Sequence, residues 1–138
     1  MSVYISKTLK DTEKIATEFA TRIKPGDTVA LIGDLGAGKT AFVQALCKQF
    51  GIKEYVNSPT FTIINEYKSN IGKINHIDFY RINHSDELIE IGIDEYFNDT
   101  DITLIEWANL FADVLPKSYF KIKIELRDDD RRIEITHD

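Results

Sequence analysis

The sequence predicts an α/β fold: a three-layer arrangement around a mixed sheet with a parallel core and antiparallel strands at its edges. Three observations carry that prediction. Strand-length apolar runs alternate along the chain with segments of helical periodicity. The run Val29-Ala30-Leu31-Ile32 is apolar without alternation, as a strand covered on both faces is, and it leads directly into "GDLGAGKT", Gly33 to Thr40. Toward the C-terminus, "YFKIKIELR" and "RRIEIT" alternate on either side of Asp128-Asp129-Asp130, which reads as a hairpin with a solvated acidic tip.

The elements follow in order. "VYISKTL" alternates enough for a strand. Residues 10–24 then form a helix with Asp11 or Thr12 as its cap, and Ile15, Phe19 and Ile23 line one face at four-residue spacing. "KPGD" breaks that helix, and "TVALI" is the buried strand. After the glycines, Thr40 to Phe50 forms a second helix with Phe42, Val43, Leu46, Cys47 and Phe50 inward. "GIKEYVNSP" is a loop and "TFTIINEYKS" a strand, which turns at "NIG" into "KINHIDFY". "SDELIEIG" is a short helix capped by Ser85, and "DITLIEW" is a further buried strand.

No repeat, linker or low-complexity tract divides the chain, so residues 1–138 are expected to form one domain. The longest apolar runs are too short to cross a membrane, and "MSVYISKTLKDTEK" lacks the apolar core of a signal peptide. The single Cys47 cannot form an internal disulfide, which suits a reducing cytoplasm. With 23 acidic and 17 basic residues the net charge is −6, a poor basis for gripping nucleic acid unaided. DNA is not an expected partner, and any RNA is expected to be held by another protein.

The glycine stretch carries the strongest chemical signal. Glycine, four residues, then Gly38-Lys39-Thr40 is the phosphate-binding loop pattern, here in its required setting of buried strand, loop and helix. Backbone N–H groups of Gly36, Ala37, Gly38, Lys39, Thr40 and Ala41 are expected to face phosphate oxygens, at a helix end whose dipole favours anions. Lys39, expected to be exposed until phosphate arrives, supplies a charge for the β- and γ-phosphates, and the Thr40 hydroxyl a ligand for Mg²⁺. Two more apolar strands end in carboxylates, Asp78 in "INHIDFY" and Glu106 in "TLIEW". In an open parallel sheet, ligands sit beyond the carboxyl ends of the strands. Both acids therefore belong beside the loop if their strands run parallel to "TVALI", where either suits a hard cation. "VNSPTFT" offers Ser58, Thr60 and Thr62 around a stiff Pro59, a candidate switch segment. His76, His84 and His137 have no partners at metal-ligand spacing and imply no zinc site. Trp107 suits either the core or stacking on a base or partner.

"GDLGAGKT", "NSPTFT", "HIDFYR", "ELIEIGIDEYF" and "LIEW" stand in the order found in the TsaE (YjeE) family, and the resemblance spans essentially the whole chain. That family comprises small bacterial P-loop ATPases required for threonylcarbamoyladenosine in tRNA. The resemblance implies a P-loop NTPase-like fold with ATP and Mg²⁺ as its cofactors. Residues 36–40 would wrap the phosphates, Thr40 and Glu106 would hold Mg²⁺, and Asp78 would be the Walker-B-like aspartate. Thr60 would lie in the switch-like loop, and Thr12 where the N-terminal segment approaches adenine. Arg131 or Arg132 would be a nucleotide-contacting arginine, in a register the sequence leaves open. The resemblance further implies TsaD and TsaB as partners, with tRNA reached through their complex and ATP hydrolysis permitting repeated turnover. A small P-loop kinase and a non-hydrolysing nucleotide switch are the alternatives. One departure stands out: Ala108-Asn109 follows "EW" where many members carry charged residues, so no third carboxylate is expected there.

Overall fold

Two strand-length runs with almost no exposed surface, "TVALI" and "ITLIE", lie side by side and set the direction of the sheet. The computed structural model describes residues 1–34, 36–54, 56 and 63–137. In chain order these form β1 (Ser2–Ser6), α1 (Leu9–Ala20), β2 (Thr28–Ile32), α2 (Lys39–Gln49), β3 (Ile64–Ser69), β4 (Gly72–Asp78), α3 (Ser85–Glu90), β5 (Ile102–Glu106), β6 (Phe120–Arg127) and β7 (Asp130–His137). Short 3-10 segments occupy Ile93–Tyr96 and Ala108–Val114. The sheet order is β1-β7-β6-β2-β5-β4-β3.

Strands β6, β2, β5 and β4 are mutually parallel, whereas β7 and β3 run against them. Because β1 is antiparallel to β7, it runs with the core. One sheet edge therefore gathers the carboxyl ends of β1, β2, β4, β5 and β6 and the amino end of β7. This is the mixed sheet with antiparallel edges that the sequence predicts.

Helices α1 and α2 cover one face, where Phe19, Phe42, Val43 and Leu46 pack on Val29, Leu31, Leu104 and Ile122. The other face is covered more lightly: Leu88 of α3, Ile93 and Ala108 pack on Ala30, Ile77 and Ile105. Among the described residues, no helix is long and apolar enough to cross a membrane.

Both predicted caps move. The α1 cap is Thr8, not Asp11 or Thr12: Thr8 is extended, and its side chain accepts the Asp11 N–H at 3.2 Å. Asp11 reaches back to accept the Lys7 N–H at 2.9 Å, so two otherwise unpaired donors are satisfied reciprocally. The α3 cap is His84, not Ser85, because Glu87 accepts the N–H groups of Asn83 at 2.7 Å and His84 at 3.1 Å. Those two N–H groups hold the Glu87 carboxyl below its ordinary range.

Candidate functional site

Each glycine at the start of α2 answers a local demand. A Cβ on Gly33 would stand 2.5 Å from the Ile124 carbonyl of β6, so only glycine lets β2 leave the sheet there. Gly38 adopts φ +109°, a conformation that L side chains rarely take, and turns the chain into α2. The first turn of α2 thus opens at the sheet edge where the other strand ends converge.

Lys39 corrects one expectation. It is buried, 5% exposed, rather than held in solvent. Its ammonium donates to the carbonyls of Gly33 and, at 3.0 Å, Asp34. It also lies 4.2 Å from the centre of the Trp107 ring, a cation–π contact. Burial pulls the Lys39 ammonium below its ordinary pKa, while the charges of Glu106, Asp78 and Asp34 act the other way. The ammonium is thus held by carbonyls of its own loop and by the Trp107 ring.

Next to it, the Thr40 hydroxyl donates to Glu106, 3.0 Å from Oε1 and 3.3 Å from Oε2. Glu106 is 2% exposed, and its Oε2 lies 2.6 Å from His76 Nε2. Parallel pairing places Asp78 opposite Glu106 at the ends of β4 and β5. Asp78 is half-buried and accepts the Tyr80 N–H at 2.9 Å. Trp107, in the left-handed region at φ +58°, ends β5 abruptly and packs on Tyr80 with ring centres 4.9 Å apart. So bulky a residue seldom takes that conformation.

Thr40 and Glu106 fit a small divalent cation. Neighbouring oxygens of an octahedral Mg²⁺ shell stand about 3.0 Å apart when each bond is about 2.1 Å. The Thr40–Glu106 separation already has that length. Among the described residues, no group of three or more His, Cys, Asp or Glu side chains is placed to hold a metal. A cation here would take two protein oxygens and complete its shell from water and phosphate, the ordinary habit of Mg²⁺.

The two arginines part company. Arg131 faces the loop: its Nε donates to the Ala37 carbonyl at 2.8 Å and Nη2 to that of Gly36 at 3.4 Å. Arg132 points to the opposite face and pairs with Glu134 at 3.1 Å. Thr12 is buried, with its hydroxyl 2.6 Å from that of Ser6. Beside Ala41, a cleft of about 440 Å³ opens between α1 and α2, walled by Lys10, Glu13, Gln44 and Lys48. Ser58, Pro59, Thr60 and Thr62 lie outside the described residues.

A family model described as "Threonylcarbamoyl adenosine biosynthesis protein TsaE" matches residues 6–133. The chain belongs to the TsaE family. A Bacillus subtilis relative named tRNA threonylcarbamoyladenosine biosynthesis protein TsaE is 45% identical over 127 residues, covering 92% of this chain and 78% of its own. Its namesake in Treponema pallidum is 34% identical over 132 residues, 96% of each chain. The crystal structure of Bacillus subtilis YdiB superposes with a TM-score of 0.82 at 36% identity, covering 99% of this chain and 84% of that one. The fold is that of the TsaE P-loop proteins.

Sequence reading missed His76 as a member of this TsaE-family site. Metal-ligand spacing in sequence does not reveal it, because His76 reaches Glu106 on the neighbouring strand rather than along the chain. The usable signal was alternation. His76 stands two residues before Asp78 on one strand and so shares its face.

Proposed function

We infer that this chain is an ATPase acting in the biosynthesis of threonylcarbamoyladenosine in tRNA, working with TsaD and TsaB and reaching tRNA through them. The observation that carries the ATPase reading is the glycine loop leading into α2, with Lys39 on it and the Thr40 hydroxyl hydrogen-bonded to Glu106 at the end of β5. The names of the relatives support the pathway. The acidic net charge suits a subunit that leaves RNA binding to its partners.

The roles follow from chemistry. On nucleotide binding, Lys39 exchanges the Gly33 and Asp34 carbonyls for phosphate oxygens, a better match for its charge. Thr40 and Glu106 would hold Mg²⁺, which would supply charge neutralisation at the phosphoryl oxygens. Water attacks the γ-phosphorus in line as its bond to the bridging oxygen breaks, releasing ADP and phosphate. Asp78 orients that water, and its own carboxylate is steadied by the Tyr80 N–H. Alone, the protein turns over slowly.

The test is reconstitution with TsaD, TsaB, tRNA and labelled ATP. Wild-type protein is expected to release labelled phosphate and sustain many rounds of tRNA modification. Lys39→Ala is expected to stop both. Label appearing on an acceptor molecule instead would establish a kinase, and nucleotide binding without turnover would establish a switch. Equal modification with Lys39→Ala, or with the protein omitted, would refute the assigned role.

A further inference from the structure

We propose that His76 is a positioning residue for Glu106, fixing which carboxylate oxygen the site presents to a divalent cation. The inference rests on the ATPase reading above.

Parallel pairing sets Asp78 against Glu106 and His76 against Leu104, so the imidazole sits one pleat deeper in the sheet than the two acids. The ring is wholly buried. Its Nε2 approaches Glu106 Oε2 to 2.6 Å, short even for a charge-assisted bond. A carboxylate can only accept, so Nε2 carries the proton. The other ring nitrogen, Nδ1, is buried without a partner among the described residues. Packing alone would be served there by an aliphatic side chain. The one polar contact that the imidazole makes among the described residues goes to Glu106.

That bond gives the two Glu106 oxygens different duties. Oε2 is held from below by His76, whereas Oε1 lies nearer the Thr40 hydroxyl, at 3.0 Å against 3.3 Å. Glu106 therefore offers a cation one oxygen, Oε1, in a place fixed before the cation arrives. A free glutamate surrenders rotamer entropy when it is immobilised. Here folding has already met that cost, which is the usual contribution of a hydrogen-bonding group behind a metal ligand.

The test is calorimetric titration of the full chain with ADP, in Mg²⁺ and in EDTA, for wild type, His76→Asn and His76→Gln. The amide nitrogen of glutamine falls near the position of Nε2, whereas that of asparagine does not reach it. His76→Asn is expected to weaken Mg²⁺-dependent binding about tenfold or more while leaving binding in EDTA within about twofold. His76→Gln is expected to recover most of the loss. Equal losses in Mg²⁺ and EDTA, or Mg²⁺-dependent binding in His76→Asn equal to wild type, would overturn the proposal. Wild-type protein that binds ADP with no Mg²⁺ dependence would instead overturn the cation site itself. If neither variant folds, the imidazole nitrogen spectrum of wild type decides. An exchange-protected Nε2–H that shifts with Mg²⁺·ADP, and not with ADP in EDTA, is expected. Its absence, or an identical shift in both, would overturn the proposal.

Discussion

Glu106 sits where stability and ligand binding make opposite demands, so two substitutions there separate the contributions. Glu106→Ala removes the acceptor of His76 Nε2, a donor with no exposed surface. Orphaning a buried donor of this kind costs about 1–3 kcal/mol. Glu106→Gln keeps the shape: its carbonyl accepts from His76, and its amide donates to the Thr40 oxygen, which can accept once the hydroxyl turns. No group is orphaned. The loss is the difference between a charge-assisted and a neutral hydrogen bond, about 1 kcal/mol, offset by no longer burying a charge. For a chain of this length, melting should fall by roughly 4–10 °C for the alanine variant and by no more than about 4 °C for glutamine. Both should lose most of the Mg²⁺-dependent part of nucleotide affinity. Differential scanning calorimetry reads the first effect and ADP titration with Mg²⁺ or EDTA the second. Equal melting temperatures for the two variants would refute the orphaned-donor reasoning. Undiminished Mg²⁺ dependence in Glu106→Gln would remove it from the ligands.

Asp78→Asn is expected to keep Mg²⁺·ATP affinity within a few-fold of wild type and to cut turnover about a hundredfold or more, since an amide neither carries charge nor takes a proton; a phosphate-release assay beside a binding titration checks it. Arg131→Ala should weaken nucleotide binding by loosening the Gly36 and Ala37 carbonyls, whereas Arg132→Ala, on the opposite face, should not; matched losses would contradict that division. Burial pushes the Cys47 thiol up to about 12. Above the ordinary thiol range the unfolded chain has lost this proton and the folded chain keeps it, so stability falls as pH rises, by up to about 1.4 kcal/mol per unit. Urea unfolding between pH 8 and pH 10 should therefore show a steeper decline for wild type than for Cys47→Ala, and parallel declines would refute the burial argument.

Local chemistry announced the elements of this protein before any tertiary contact was known. Unbroken apolar runs marked β2 and β5, the glycine spacing marked the phosphate loop, and acids at strand ends marked Asp78 and Glu106. These signals depend on residues near one another in the chain, which is why a sequence exposes them. The helix caps were misread because several capping-competent residues, Thr8, Asp11 and Thr12 at one end and His84 and Ser85 at the other, stand within a turn of each other. Only the backbone hydrogen bonds distinguish them. What tertiary structure decided is long-range. The direction of β7 carries Arg131 to the glycine loop and turns Arg132 away, because neighbours on a strand face opposite sides. Pairing of β4 with β5 buries His76 against Glu106, and the turn at Trp107 lays an aromatic face under Lys39. Register and strand order arise from how the whole sheet packs, and no short stretch of sequence contains them.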